Sequence, residues 1–333
     1  MKHFYSRGFP FHRGRRLRNK KNISDMVSET NLSVNDLVLP YFLREKNDET
    51  VINNMPGLQR FSTDELIKEL KEIENLGIKT IAIFPKINEK KKDDHASESL
   101  NENNLVCRSL REIRKSCPNI SVICDLALDA YNTKGHDGIV DESGLVNNDK
   151  TIEILSKMAL LFAKNGCDIV APSDMMDGRI KIIRETLEKE KFKDIVILSY
   201  SSKFSSNFYS PFRDALGSKK NLGNASKSTY QIDFKNKREA IKESLEDQYE
   251  GADILMVKPA MYYLDIINEL KKNTFCPVAA YQVSGEYSMI KHLSDKQIFN
   301  YKDVVLESLY CIKRAGADII FTYFAKDVAK WLK

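Results

Sequence analysis

Eight short apolar runs, separated by longer amphipathic stretches, constrain this chain more than any other feature. They fall at 37–42, 80–85, 121–128, 168–173, 195–200, 254–259, 278–284 and 319–324. Several of them, such as VILSY, ILMVK and IIFTY, are nearly continuous rather than alternating. Strands that are apolar on both faces suit a parallel sheet covered on both sides. The stretches between them read as helices. One begins S-T-D-E at Ser62, a capping signature, and runs to Gly77. Another, 149–165, sets Ile152, Leu155, Ala159 and Phe162 on one face and stops at Gly166. Stretches 236–249 and 304–315 repeat the form, followed by Gly251 and Gly316. Eight βα units in order predict the α/β class and a (β/α)8 TIM barrel. The competing architecture is an open doubly wound sheet, but no G-x-G-x-x-G follows any run.

The 333 residues accommodate such a barrel with an extension to spare. At 42% hydrophobic and 30% charged residues, the chain can bury a full core, which excludes global disorder. No apolar run approaches the ~18 residues of a membrane span, and no apolar leader opens the chain, so neither a membrane nor secretion is expected. Six cysteines are scattered without a C-x-x-C pair. Cys124, Cys167 and Cys311 sit in or beside apolar segments, as buried thiols do, and a reducing compartment follows. We expect the cytoplasm; a basic N-terminus leaves an organelle open.

The first 21 residues hold eight basic side chains and no acid, with Phe4, Tyr5, Phe9, Phe11 and Leu17 among them. An RNA-binding arm, a transit peptide, a subunit-contact arm and a loose tail all fit this composition. The net charge of +5 decides nothing about nucleic acid, and no nucleic-acid partner is expected. We take 1–35 as an arm for subunit contacts and 36–333 as the catalytic barrel. Segments around 125–145 and 201–230 would form a lid, and the polar stretch 88–103 an exposed loop.

Barrel enzymes keep their chemistry at the C-terminal strand ends. There the sequence places Asp125 and Asp129 at the end of the third run, followed by His136 and Asp137, and Asp174 and Asp177 after the fourth. Lys203 follows the fifth run and Lys258 ends the sixth. Ser284 and Tyr323 end the seventh and eighth. A lysine inside an apolar strand is driven towards its neutral amine, the more so beside a second cation. A neutral amine attacks a ketone to form a Schiff base. The plainer alternative is a lysine paired with Asp253 or Asp265. The aspartates could hold a hard cation such as magnesium, cap helices, meet a substrate ammonium or move protons.

The segments DLALDAYNTKGHDG, APSDMMDGR, SYSSKFSSNFYSPFRDALG, ILMVKPA and YQVSGEY, in this order, resemble the 5-aminolevulinate dehydratases, or porphobilinogen synthases, and the likeness spans nearly the whole chain. The resemblance implies a barrel with an arm that wraps a neighbour in a homo-octamer. It implies condensation of two 5-aminolevulinates into porphobilinogen, with loss of two waters, in tetrapyrrole (haem) synthesis. By position it implies Schiff-base lysines at Lys258 and Lys203. Ser284 and Tyr323 would bind the first substrate's carboxylate, Arg213, Lys227 and Gln231 the second's, and Asp125 the substrate ammonium. Zinc-dependent members carry three cysteines in the segment equivalent to 125–138; this chain has none there, so no active-site zinc is expected. Asp129 and Asp137 stand in those places on the lid. The aspartate-rich branch that this pattern resembles is often stimulated by allosteric magnesium, for which Glu243 matches the carboxylate and Arg179 the adjoining interface. A solvated helix face is the plainer account of Glu243, with Glu239 one turn before it. The chain departs from that branch at Lys134 and His136, and carries Ser202 and Ser210 in place of the usual alanine and glycine.

A class I aldolase, which needs one Schiff-base lysine, and a basic RNA-binding protein are the competing functions. Deleting 1–35 separates the second. We expect the deletion to break the oligomer in sedimentation; abolition of salt-sensitive RNA binding instead would favour the binding protein.

Overall fold

The computed structural model describes residues 8–217, 221–223 and 226–333. Residues 1–7 of the expected arm, with Lys2, Phe4, Tyr5 and Arg7, lie outside the described residues, as do 218–220, 224 and 225 of the second lid segment. Eight parallel strands form the barrel: β1 (Leu37–Leu43), β2 (Thr80–Pro85), β3 (Ser121–Leu126), β4 (Ile169–Pro172), β5 (Val196–Lys203), β6 (Ile254–Lys258), β7 (Val278–Tyr281) and β8 (Ile319–Phe321). Each pairs with the next, and β8 returns to β1 through Leu37↔Ile320 and Val38↔Phe321. That closure removes the open-sheet alternative. Every residue of β1 is buried, and the other strands are buried over most of their length. This is why the apolar runs are continuous: one face fills the barrel and the other meets the helices.

The helices start and stop where local chemistry says. In Thr63–Asn75, the Ser62 hydroxyl accepts the Glu65 N–H while the Glu65 carboxylate accepts the Ser62 N–H. Asn148–Lys164 and Lys237–Tyr249 lie within a residue of the expected spans. Tyr301–Ala315 begins three residues earlier than the apolar pattern suggests, because the Asn300 side chain accepts the Asp303 N–H and caps the extra turn.

The strand pair that matters most is not regular. Leu198 and Ser199 pair with Ile254 and Leu255, but Ser202 and Lys203 then pair with Val257 and Lys258. β5 therefore carries one extra residue, a bulge. Tyr200 faces the barrel interior, with its ring 4.9 Å from the Lys258 Nζ. Ser201 and Ser202 both turn outward. Ser202 Oγ donates to the Ala240 carbonyl at 2.9 Å, and Ser244 Oγ lies 2.8 Å from Ser202 Oγ and 3.0 Å from Ser201 Oγ. The order in-out-out-in brings Lys203 inside beside Lys258. Strict alternation would have aimed Ser202 inward and Lys203 at the helix.

Three expectations are corrected. Stretch 88–103 is not a bare exposed loop: it carries 3-10 turns at Glu89–Lys91 and Ser97–Leu100 and buries Ala96 and Ser99. The reason is Asp93, whose carboxylate accepts the N–H groups of His95 and Ser97. The expected lid is likewise structured over 201–217, with β5 running to Lys203 and a short helix, Ser210–Leu216. Cys311 is only partly buried, whereas Cys107, Cys117, Cys124 and Cys167 are buried; all six cysteines are free thiols. Residues 8–31 run outside the barrel with no residue buried.

Helix Ser284–Asp295 approaches the segment Asn207–Tyr209 so closely that a Cβ on Gly285 would lie 2.6 Å from the Phe208 carbonyl oxygen. Gly285→Ala must move backbone, at a cost of about 1–3 kcal/mol. Chemical denaturation checks this; a change below about 0.5 kcal/mol would show that the segment yields freely.

Candidate active site

The C-terminal strand ends enclose a small, tightly lined hollow. Its lining unites eight of the expected residues: Asp125, Asp129, Asp137, Lys203, Arg213, Lys227, Gln231 and Lys258. Ser173, Tyr209 and Phe212 complete it. The residues arrive from β3, β5 and β6 and from both lid segments, so their grouping depends on barrel closure and not on sequence proximity.

Lys258 is 5% exposed and stands among rings. Its Nζ lies 4.5 Å from the centroid of Tyr281, 4.9 Å from those of Tyr200 and Phe212, and 5.3 Å from that of Tyr209. These faces offer a cation some attraction, but far less than water does. Burial, with the Lys203 ammonium beside it, lowers the Lys258 amine to about 7. The alternative pairing with Asp253 fails: Asp253 is bonded by Arg184 at 2.5 Å.

Lys203 sits in the opposite kind of surroundings. Its Nζ donates to the Ser173 carbonyl and reaches Asp137 Oδ2 at 3.4 Å. Asp137 is the hub of the lid. It also accepts from Lys227 Nζ at 2.8 Å and from Gln231 Nε2 at 3.4 Å, and Lys227 reaches Asp129 at 3.0 Å. Burial alone would raise Asp137, but Lys203 and Lys227 outweigh it and hold the carboxyl at about 2. Burial of Lys227 is likewise outweighed by Asp129 and Asp137, which raise it. Asp125 keeps part of its surface open to the hollow, yet the enclosed position pushes its carboxyl up to about 7, against the pull of Lys203 and Lys258. Asp125 and Lys258 can therefore both exchange protons near neutral pH.

Ser284 and Tyr323 are not part of the lining. Ser284 Oγ accepts the Phe212 N–H at 3.0 Å and donates to the Phe208 carbonyl at 3.3 Å. Tyr323 OH pairs with Tyr281 OH at 3.1 Å, and its ring stacks on Phe42. His136 and Lys134 lie on the lid; His136 Nδ1 is 3.1 Å from Tyr230 OH, which also accepts the Asp137 N–H. Glu243 lies outside the hollow, half-buried in a separate cleft with Asn148, Asp177 and Glu239. Arg179, expected at an interface, is instead buried in the chain's own interior. It bonds Asp247 at 2.9 and 3.2 Å and Ser199 at 3.2 Å. Sequence reasoning missed the rings around Lys258 and the Ser173 carbonyl.

A small amine-reactive reagent should label native Lys258 with a midpoint near pH 7, where an ordinary lysine requires about 10.4. Below the midpoint the ammonium is inert; above it the free amine reacts. Lys203→Met removes one of the depressing charges and should move the midpoint upward. A wild-type midpoint near 10 would contradict this description of the site.

The family model "Delta-aminolevulinic acid dehydratase" matches residues 11–331. The Methanothermus sociabilis delta-aminolevulinic acid dehydratase is 48% identical over 326 residues, covering 97% of this chain and 99% of its own. The Helicobacter pylori (strain J99 / ATCC 700824) enzyme of that name is 44% identical over 327 residues, covering 97% and 99%. A crystal structure of the Toxoplasma gondii ME49 delta-aminolevulinic acid dehydratase (porphobilinogen synthase), in complex with the reaction product porphobilinogen, superimposes with a TM-score of 0.94 at 43% identity, over 96% of this chain and 91% of that one. With that extent of agreement in sequence and in fold, this chain belongs to the delta-aminolevulinic acid dehydratase family.

Proposed function

We propose that the chain carries out its family's reaction, the joining of two 5-aminolevulinates into porphobilinogen with loss of two waters, through amines at Lys258 and Lys203. The observation that carries this is the register Lys203↔Lys258 inside one hollow. At pH 7 an ordinary lysine is neutral in about one molecule in several thousand, whereas an amine at about 7 is neutral in half. That gain of roughly a thousandfold in nucleophile assigns the first attack to Lys258. Each ketone oxygen leaves as water when its imine forms. Both lysine amines return when the carbon–carbon and carbon–nitrogen bonds between the substrates replace them.

The other residues then take roles. Asp125, able to hold or release a proton near neutral pH, meets the substrate ammonium and moves protons. Arg213, Lys227 and Gln231 clamp the second carboxylate. On binding, that carboxylate would take over Lys227 from Asp129 and Asp137. Ser284 and Tyr323 would bind the first carboxylate, which requires Ser284 to redirect the proton it now donates to the Phe208 carbonyl. A class I aldolase explains one lysine in the hollow and leaves the second idle.

We read the active site as free of zinc, on donor chemistry: no thiol stands in 125–138, and Asp129 and Asp137 are paired to Lys227. Magnesium is the ion for the outer cleft. Burial raises the Glu243 carboxyl, and Glu246, Asp247 and Asp177 add to the effect, so a cation there relieves crowded negative charge. Among the described residues no three His, Cys, Asp or Glu side chains converge, so Glu243 would hold a largely hydrated ion, as magnesium accepts. We also propose that the exposed stretch 8–31 packs on another copy of the chain, in a homo-octamer. No described helix is long and apolar enough to cross a membrane. Free thiols support a reducing compartment, and we place the enzyme in the cytoplasm; plant relatives bear the label chloroplastic.

Porphobilinogen formation from 5-aminolevulinate tests the reading. Lys258→Met and Lys203→Met should each reduce the rate by at least about a thousandfold, as loss of a covalent nucleophile does. An aldolase would keep substantial activity in one of them. Chelation should lower the wild-type rate, and magnesium, not zinc, should restore it; a rate indifferent to chelation would keep the enzyme and remove the metal.

A further inference from the structure

Arg60 is 4% exposed, yet its guanidinium is spent chiefly on main-chain carbonyls. Nε donates to the Ala215 carbonyl at 2.7 Å and Nη2 to that of Asp214 at 2.9 Å; Nη1 reaches the carbonyls of Val51 at 2.6 Å and Glu49 at 3.3 Å. The nearest carboxylate, on the exposed Glu49, is 3.6 Å away. A buried arginine usually rests against an acid. This one instead caps the last turn of the lid helix Ser210–Leu216, where carbonyls gather negative charge and that of Asp214 also accepts the Gly217 N–H at 3.3 Å.

That helix carries two groups of the active site. Arg213 and Phe212 line the hollow, and the Phe212 ring covers Lys258. Its N-terminal end is tied to Ser284 through the Phe212 N–H. Its C-terminal end is tied to Arg60 and, through the Asp214 side chain, to Asn54. The loop bearing Asn54 is fixed in turn: Ser288 Oγ donates to the Asn54 carbonyl at 2.7 Å, and Tyr287 OH to the Pro56 carbonyl at 2.6 Å. Arg60 itself pairs with Phe42 at the end of β1. A rigid path therefore runs from the barrel wall through Arg60 to the lid helix.

We propose that Arg60 is a positioning residue for the second-substrate clamp. Its planar fork grips two successive carbonyls and sets the rotation of the helix, so that Arg213 faces the hollow while Phe212 stays over Lys258. Arg60 touches no substrate. A lysine has the charge but not the fork, and cannot hold both carbonyls at these angles. The proposal rests on the reading of Arg213 as a carboxylate clamp.

Steady-state kinetics with 5-aminolevulinate and amide hydrogen exchange, both on the full chain, test it. In Arg60→Ala we expect KM to rise at least about tenfold, in line with the sensitivity of oriented sites to displacements near 1 Å. Exchange should speed up across 205–217 while β1–β8 keep wild-type protection. Arg60→Lys, which retains the buried charge, should follow Arg60→Ala in both readouts. Wild-type KM and exchange in either variant overturns the proposal. So does loss of protection throughout the barrel, which would make Arg60 a general stabilising residue. Arg213→Met is measured alongside. A wild-type KM in that variant beside a raised KM in Arg60→Ala would remove the clamp reading and leave the positioning role standing.

Discussion

Two lysines placed side by side in a low-dielectric barrel are the constraint on which the rest of the site depends. Burial disfavours the Lys258 ammonium there, and the neighbouring Lys203 disfavours it further. The chain resolves this by treating them differently. Lys258 stands among aromatic faces and yields its proton. Lys203 is given a carbonyl and the ionised Asp137. One cation and one neutral amine can then share a space that two cations could not. The rings around Lys258, the Asp137 hub and the intermediate state of Asp125 all follow from that division.

The juxtaposition is a matter of backbone register before it is a matter of charge. The single extra residue in β5 turns Lys203 from the helix layer into the barrel, and the cost of the bulge is offset by a serine cluster with Ser244. The lid completes the site with charges of both signs. Lys227 is held by two aspartates, Asp129 and Asp137, so carboxylate–ammonium pairing ties the two lid segments together.

Much of this was legible in the sequence. Continuous apolar runs give the parallel sheet because a strand buried on both faces has no polar side to show. Chemistry-bearing residues at the ends of those runs mark the catalytic face. What was not legible came from geometry across elements. Alternation along β5 would have sent Lys203 outward, and only the pairing with β6 shows otherwise. Arg179 is buried by a pairing with Asp247, far along the chain, that no local pattern announces. The hydroxyl of Ser284 was expected to face a carboxylate; here it accepts the Phe212 N–H and donates to the Phe208 carbonyl. Stretch 88–103 looked solvated by composition, and local bonds to one aspartate fold it down.

On the proposed reaction, both lysines of the hollow become covalently attached to substrate, Lys258 through its neutral amine. Borohydride reduction of the enzyme in the presence of 5-aminolevulinate, followed by peptide mass mapping, tests it most directly. The account predicts reduced adducts on the peptides bearing Lys258 and Lys203, with Lys258 modified first when substrate is limiting. Adducts confined to one lysine under saturating substrate, or found on surface lysines alone, would contradict it.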